Sequence, residues 1–252
     1  MFSLIKWEIK KNLRIGVLAT WVFGLLIGYA TIRTTFNIND VYADIFSKYF
    51  GLAPIMGLIM FTMFSGSFVL EYNSSADGLI KASKKGKDQL VLAKFIGSGI
   101  SASIINLSIL MTMAGKAILA FKFNGLDLPL KSLWYFGNSG SNITVLQMIL
   151  IVSLTVILGS FLFSAIGLYF SSISKKATMP FIFGGLMMGI PYLLELRGNH
   201  ETLINLPISG MYSQQLIRYA APLSSWIVFM GIVLVLNIVL YNLSKRRFLR
   251  EI

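Results

Sequence analysis

Few residues in this chain can do covalent chemistry, and their types narrow its function. There is one histidine, His200, no cysteine and ten acids among 252 residues. Without a thiol there is no disulfide, thiolate nucleophile or soft metal ligand, and a lone imidazole cannot build a metal site or a buried Ser, His and Asp triad. No HExxH, GxSxG or GxxxxGK[ST] occurs, so the residues of metalloprotease, hydrolase and P-loop chemistry are missing. GLDLP and GNSG read as turn sequence. The charged segment that stands out runs from Glu71 to Lys94, EYNSSADGLIKASKKGKDQLVLAK. Glu71 and Asp77 precede a basic half, Gly78 and Gly86 act as breakers, and Ser75 to Ala82 is compatible with a short helix. Such a segment docks rather than reacts. A short helix held between two membrane spans can pass force from a soluble partner to the spans.

The elements that hold this segment follow from hydropathy. The chain is 56% apolar and 13% charged, against about 25% charged in soluble domains. With a mean hydropathy of +0.74 it has too few charges to cover a surface in water. A bilayer core about 30 Å thick needs roughly 20 apolar residues in helical form. Six stretches meet or approach that length, at about 15–32, 50–70, 95–120, 145–170, 179–196 and 226–243. The expected fold is all-α: a single polytopic transmembrane domain of six helices, preceded by an amphipathic interfacial helix. In that helix, residues 1–14, the apolar strip is Phe2, Ile5, Ile9 and Leu13, with Lys6, Lys10, Lys11 and Arg14 beside it. With no small-residue cleavage signature, this start does not read as a removed signal peptide.

Lys and Arg divide fifteen to seven between alternate sides of the six spans, while the acids divide five and five. The richer side, holding both termini and the 71–94 link, is expected in the cytoplasm. The net charge of +12 is thus a topology signal, and no nucleic-acid partner is expected. The opposite links, 33–49, 121–144 and 197–225, are long and polar enough for short surface or re-entrant helices, with Leu216 to Ala221 the best placed.

Gly24 with Gly28, Gly97 with Ser101, Ser160 with Ser164, and Gly185 with Gly189 repeat a small-residue i, i+4 spacing that lets helices pack closely. The fifth span differs. Gly184, Gly185, Met187, Met188, Gly189 and Pro191 can make it a hinge or the wall of a pathway for apolar cargo. No acid or histidine falls mid-span, which weighs against proton-coupled transport.

The order of amphipathic helix, two spans, acidic residue with a Gly-containing basic loop, then four spans resembles the six-span permease of an ABC exporter. The resemblance is to the type-2 class that includes drug, polysaccharide and antimicrobial-peptide exporters. It implies that the loop after span two docks on the ATPase, with Glu71, Asp77, Gly78, Leu79, Lys81, Lys84 and Lys85 as coupling residues. The family commonly has a bulkier Pro- and Arg-containing segment where this chain has SKKGK. It further implies an ABC ATPase subunit that carries ATP and magnesium, no cofactor in this chain, and a second permease copy or a homologous permease. Similarity to bacterial permeases for lantibiotics, bacitracin-like peptides and phenol-soluble modulins implies an amphipathic peptide or hydrophobic substrate, with membrane lipid as a further partner.

Overall fold

The computed structural model describes residues 1–73, 86–205 and 212–250, and among these it is helical with no β-strand. The helices are α1 (Phe2–Asn12), α2 (Ile15–Thr31), α3 (Ile38–Gly51), α4 (Ala53–Phe64), α5 (Val69–Asn73), α6 (Gly86–Ala120), α7 (Val145–Ile173), α8 (Thr178–Leu196), α9 (His200–Asn205), α10 (Ser213–Arg218) and α11 (Leu223–Arg250). Four stretches are long and apolar enough to cross a membrane singly: Ala53–Asn73, Asp88–Ala120, Val145–Ile173 and Ser224–Leu249. Two bent pairs raise the number to six if each is one span: α1 with α2, bent by 71°, and the halves of α8, bent by 42° between Met187 and Gly189. These helices fit a membrane-embedded protein.

The sequence accounts for where the elements break. Gly51 ends α3, and Pro54 occupies the first turn of α4, where its missing N–H breaks no helical bond. The second span therefore starts at Ala53, and Phe50 belongs to the preceding helix. Thr144 caps α7 reciprocally: its hydroxyl accepts from the Gln147 N–H at 3.3 Å while the Gln147 side chain accepts from the Thr144 N–H at 2.9 Å. In α8, Pro191 has no N–H for the carbonyl of Met187, and the helix bends beside that gap.

The third span starts earlier than hydropathy indicates. Helix α6 begins at Gly86, so Lys94 lies within it, and the residues between α5 and α6 are 74–85. Long α6 is the axis of the bundle. Its Gly24-facing side carries Ile109 and Met113; a Cβ added at Gly24 of α2 would lie 3.2 Å from Ile109, and one at Gly28 3.3 Å from Met113. Trp21 of α2 also donates to Ser108 at 2.8 Å. That glycine pair serves packing inside one chain. On the α7 side the fit is closer still: a Cβ at Gly99 would stand 2.4 Å from Phe161, and one at Gly167 2.6 Å from Phe64. Without a hydrophobic driving force between helices in lipid, such close van der Waals contact is what holds them together.

The polar link 33–49 is largely a helix. Helix α3 buries Val41, Tyr42, Ile45 and Phe46, and Tyr42 donates to the Asn124 carbonyl at 2.8 Å. Residues 121–144 fold over it, with Leu130, Leu133 and Phe136 fully buried and Phe136 edge-on to Phe46 at 5.3 Å. Hydropathy over 20 residues averages these short buried runs with the Asp, Asn and Lys around them. The expected helix at Leu216 to Ala221 lies three residues earlier, as α10, because Ala220 takes a positive φ of 53° and turns the chain. This end is the capped end, and the other is the Lys94 end.

A candidate coupling junction and a lateral groove

Of the residues expected to couple, Asp77, Gly78, Leu79, Lys81, Lys84 and Lys85 lie outside the described residues. Their anchor points are described. Glu71 lies in α5, two residues before its end, and Lys94 sits roughly 9 Å along α6 from Asp88 at 1.5 Å per residue. The Lys94 ammonium, fully buried, donates to Glu71 Oε1 at 2.9 Å, to the Ser67 carbonyl at 3.0 Å and to both oxygens of Glu8 at 3.3 and 3.4 Å. The Lys11 ammonium donates to the same Glu71 oxygen at 2.6 Å. Among the described residues two acids face two bases, so their charges balance. An ammonium with no water around it is tolerable only in such company, because its desolvation amounts to several kcal/mol and must be offset by close pairing. The ring of Phe68, 5.5 Å from the Lys94 nitrogen, adds an apolar wall.

Sequence reasoning missed Glu8, and it placed Lys94 in the basic link. The reading of α1 changes with them. Phe2 and Trp7 of the interfacial helix are exposed, while Glu8 and Asn12 are its buried residues. Both stand on the face that meets α6. Gly97 allows the approach, since a Cβ there would lie 3.0 Å from the Glu8 Cβ, and Asn12 donates to Ser98 at 3.2 Å. The signal in the sequence was the i, i+4 pair Glu8 and Asn12 beside the half-buried Ile5 and Ile9.

Further contacts tie other helices to the junction. Phe68 stacks on Phe248 of α11 at 4.7 Å, Tyr72 donates to the Ser172 carbonyl of α7 at 2.9 Å, and the Phe68 N–H donates to the Ser171 hydroxyl at 2.9 Å. A displacement of either end of 74–85 therefore reaches α1, α4 with α5, α6, α7 and α11 through direct contact. The exposed pair Lys245 with Asp88, at 3.1 Å, contributes little by comparison.

The expected pathway residues lie along α8. Gly185 and Gly189, with Gly57 of α4, line a groove of about 400 Å³ between the two helices, bordered by Leu58, Phe61 and Phe181. No atom comes within 4 Å of a Cβ placed at any of these three glycines, so the glycines here make room rather than contact. Met187 is exposed and Pro191 is buried; the side chains at Gly184 and Met188 lie outside the described residues. The groove faces away from the α6 axis.

A second charged cluster closes the far end of α8. Glu195 accepts from Arg218 and from the Tyr219 hydroxyl, both at 2.8 Å, and the Arg218 guanidinium lies 4.5 Å from the Tyr135 ring. Burial, the hydrogen bond to Glu195 and the charge of Glu195 hold the Tyr219 hydroxyl above its ordinary value near 10. It stays a donor at every physiological pH. Among the described residues no group of three His, Cys, Asp or Glu side chains could hold a metal ion.

No protein-family model matches the chain, and no curated protein matches it at a significant level.

Proposed function

We propose that this chain is the membrane permease of an ATP-driven exporter, acting as a pair with two separate ABC ATPase subunits that carry the ATP and magnesium. The observation that carries the reading is the clasp at the two ends of the 74–85 link. Glu71 and Lys94 are joined to each other and to the interfacial helix by a buried, charge-balanced set of bonds. A link that only set orientation needs no such anchorage. A link that receives force does, because a push is transmitted only as far as its attachments are stiff.

In this reading the Lys94 end faces the cytoplasm of a bacterial cell, as the excess of Lys and Arg there requires. ATP binding draws the ATPases together, they press on the links, and the bundle shifts between forms open to one side or the other. The chain itself contributes no bond-making chemistry. The broad apolar faces of α8 and α11, with Phe183, Leu186, Leu234 and Ile238 exposed, are available to lipid and to a second permease. The cargo is an amphipathic peptide or a hydrophobic compound.

Co-purification tests the proposal. The chain should bring down a P-loop ATPase at near one-to-one ratio and raise its ATP turnover in lipid, and disruptive changes at Asp77 or Gly78 should abolish both. A folded chain recovered alone, with no stimulation of an ATPase encoded beside it, overturns export in favour of a membrane scaffold that recruits some other soluble protein.

A further inference from the structure

Beside the lateral groove, lined by residues of α3, α4, α6, α7 and the start of α10, lies a smaller hollow of about 40 Å³. Ala53 lines both spaces. Between them stand three aromatic rings: Tyr192, which borders the groove, lies 5.7 Å from Phe50, and Phe50 lies 5.3 Å edge-on from Tyr212, the last two lining the hollow. The groove is apolar, whereas the hollow is lined by Tyr49, Asn106, Thr155, Ser160, Tyr212 and Gln214 beside Met56 and Met60.

The chemistry left over in the hollow is one-sided. The Asn106 amide nitrogen donates to the Ser160 hydroxyl at 3.0 Å and faces the Met60 sulfur at 3.2 Å. A thioether can only accept, so the nitrogen belongs on that side and Oδ1 on the other. Among the described residues Oδ1 of Asn106 then has no donor, and neither does Oε1 of Gln214, although the two residues are 4% and 2% exposed. Of the hydroxyls nearby, Thr155 is bonded to the Ile151 and Val152 carbonyls and to Ser213 at 2.9 Å and Tyr49 to the Asn106 carbonyl at 3.4 Å, while those of Ser160 and Tyr212 reach neither acceptor oxygen. Among the described residues no acid, lysine, arginine or histidine lines either space. What these two acceptors lack is an uncharged donor within reach.

We infer that groove and hollow together form a binding site for a membrane-borne amphiphile whose head is neutral and donates hydrogen bonds, a primary amide or an alcohol. The head occupies the hollow between Asn106 and Gln214, and the apolar body lies in the groove over Gly57, Gly185 and Gly189. About 40 Å³ holds a head of roughly two or three heavy atoms, since one water-sized group needs about 10–15 Å³ on the same measure. A carboxylate brings only further acceptors to two existing ones. A quaternary ammonium brings a charge with no counter-charge and no N–H. The role of this site as the cargo contact rests on the export reading; the binding does not.

The test uses the full chain alone in lipid nanodiscs, without an ATPase. A long-chain primary amide bearing a photoreactive diazirine is cross-linked and the labelled peptides are located by mass spectrometry, with dodecanamide, dodecanoate and dodecyltrimethylammonium as competitors. Saturable labelling is expected within 53–61 and 181–193, with dodecanamide competing at about ten-fold lower concentration than either charged head, the worth of one hydrogen bond. Asn106→Leu and Gln214→Met, made singly, should each weaken the amide by about that factor and leave dodecanoate unchanged. Gly189→Leu should remove the labelling while the unfolding temperature holds. Equal competition by all three heads, or indifference to both acceptor variants, overturns the inference. Labelling is read without nucleotide, so a failure of ATPase stimulation leaves this result standing, and a failure of labelling leaves export standing.

Discussion

At the Lys94 end of the bundle four charged side chains neutralise one another, while around Asn106 and Gln214 neutral groups are left with acceptors that no protein donor reaches. The two clusters share only α6, where Lys94 and Asn106 are both buried; Lys11 and Glu71 of the first are part-buried, while Gln214 of the second is buried. The first is closed, each charge answered by another at 2.6 to 3.4 Å. Its value is stiffness, since four residues from three separated stretches move together. The second is open in the chemical sense. A polar group buried without a partner forgoes about 1–3 kcal/mol, which a donor on a bound ligand would return.

The largest effect that separates them is expected at Lys94. Lys94→Met leaves Glu8 buried without its cation and removes one of the cations on Glu71, and should lower stability by about 3–5 kcal/mol in thermal or denaturant unfolding. Adding Glu8→Gln and Glu71→Gln to it should restore most of the loss; if the triple variant is no better than the single one, the cluster is not held by charge balance. Next is Gly167→Val, which forces a Cβ into Phe64 and should cost about 1–3 kcal/mol with the junction intact, showing what pure packing is worth here.

Asn106→Leu sharpens the contrast from the other side. An unmet acceptor is removed along with one hydrogen bond to Ser160, so unfolding should shift by less than about 1 kcal/mol. A loss as large as that at Lys94 would place the hollow among the structural clusters. The smallest effect belongs to the cluster at the end of α8 and depends on pH. The Tyr219 hydroxyl has a raised pKa in the fold, so its contribution is complete below its ordinary value near 10 and falls as pH climbs from there through the folded value. Tyr219→Phe should flatten the fall in unfolding temperature between about pH 9.5 and 11 and change little at pH 7.

Much of this architecture was legible in the residue order. The apolar runs at 145–170 and 226–243 needed only their ends extended, and Gly189 with Pro191 marked the bend in α8 and the lining of the groove. What hydropathy could not deliver were features that depend on partners distant in sequence. Lys94 reads as one more basic residue of a loop until Glu8, 86 positions earlier, is seen beside it. Likewise α3 is hidden because its buried Tyr42 and Phe46 are covered by 121–144 rather than by lipid, and a covered amphipathic helix resembles a polar link. The acceptors of Asn106 and Gln214 are invisible in sequence, since an amide reveals nothing about which of its atoms is satisfied.

The same separation sets an order of events during synthesis. At about 5–20 residues per second, Lys94 is made roughly 4–17 s after Glu8. Over that interval α1 and its one acid, Glu8, wait without Lys94, and the exposed Phe2 and Trp7 are of the kind that rest in a membrane interface. The arrival of α6 then withdraws Glu8 from the surface and fixes the first helix in place. The exposed aromatics of α1 are in this sense the mooring of a nascent chain, and they keep that use only until the third long helix is in the membrane.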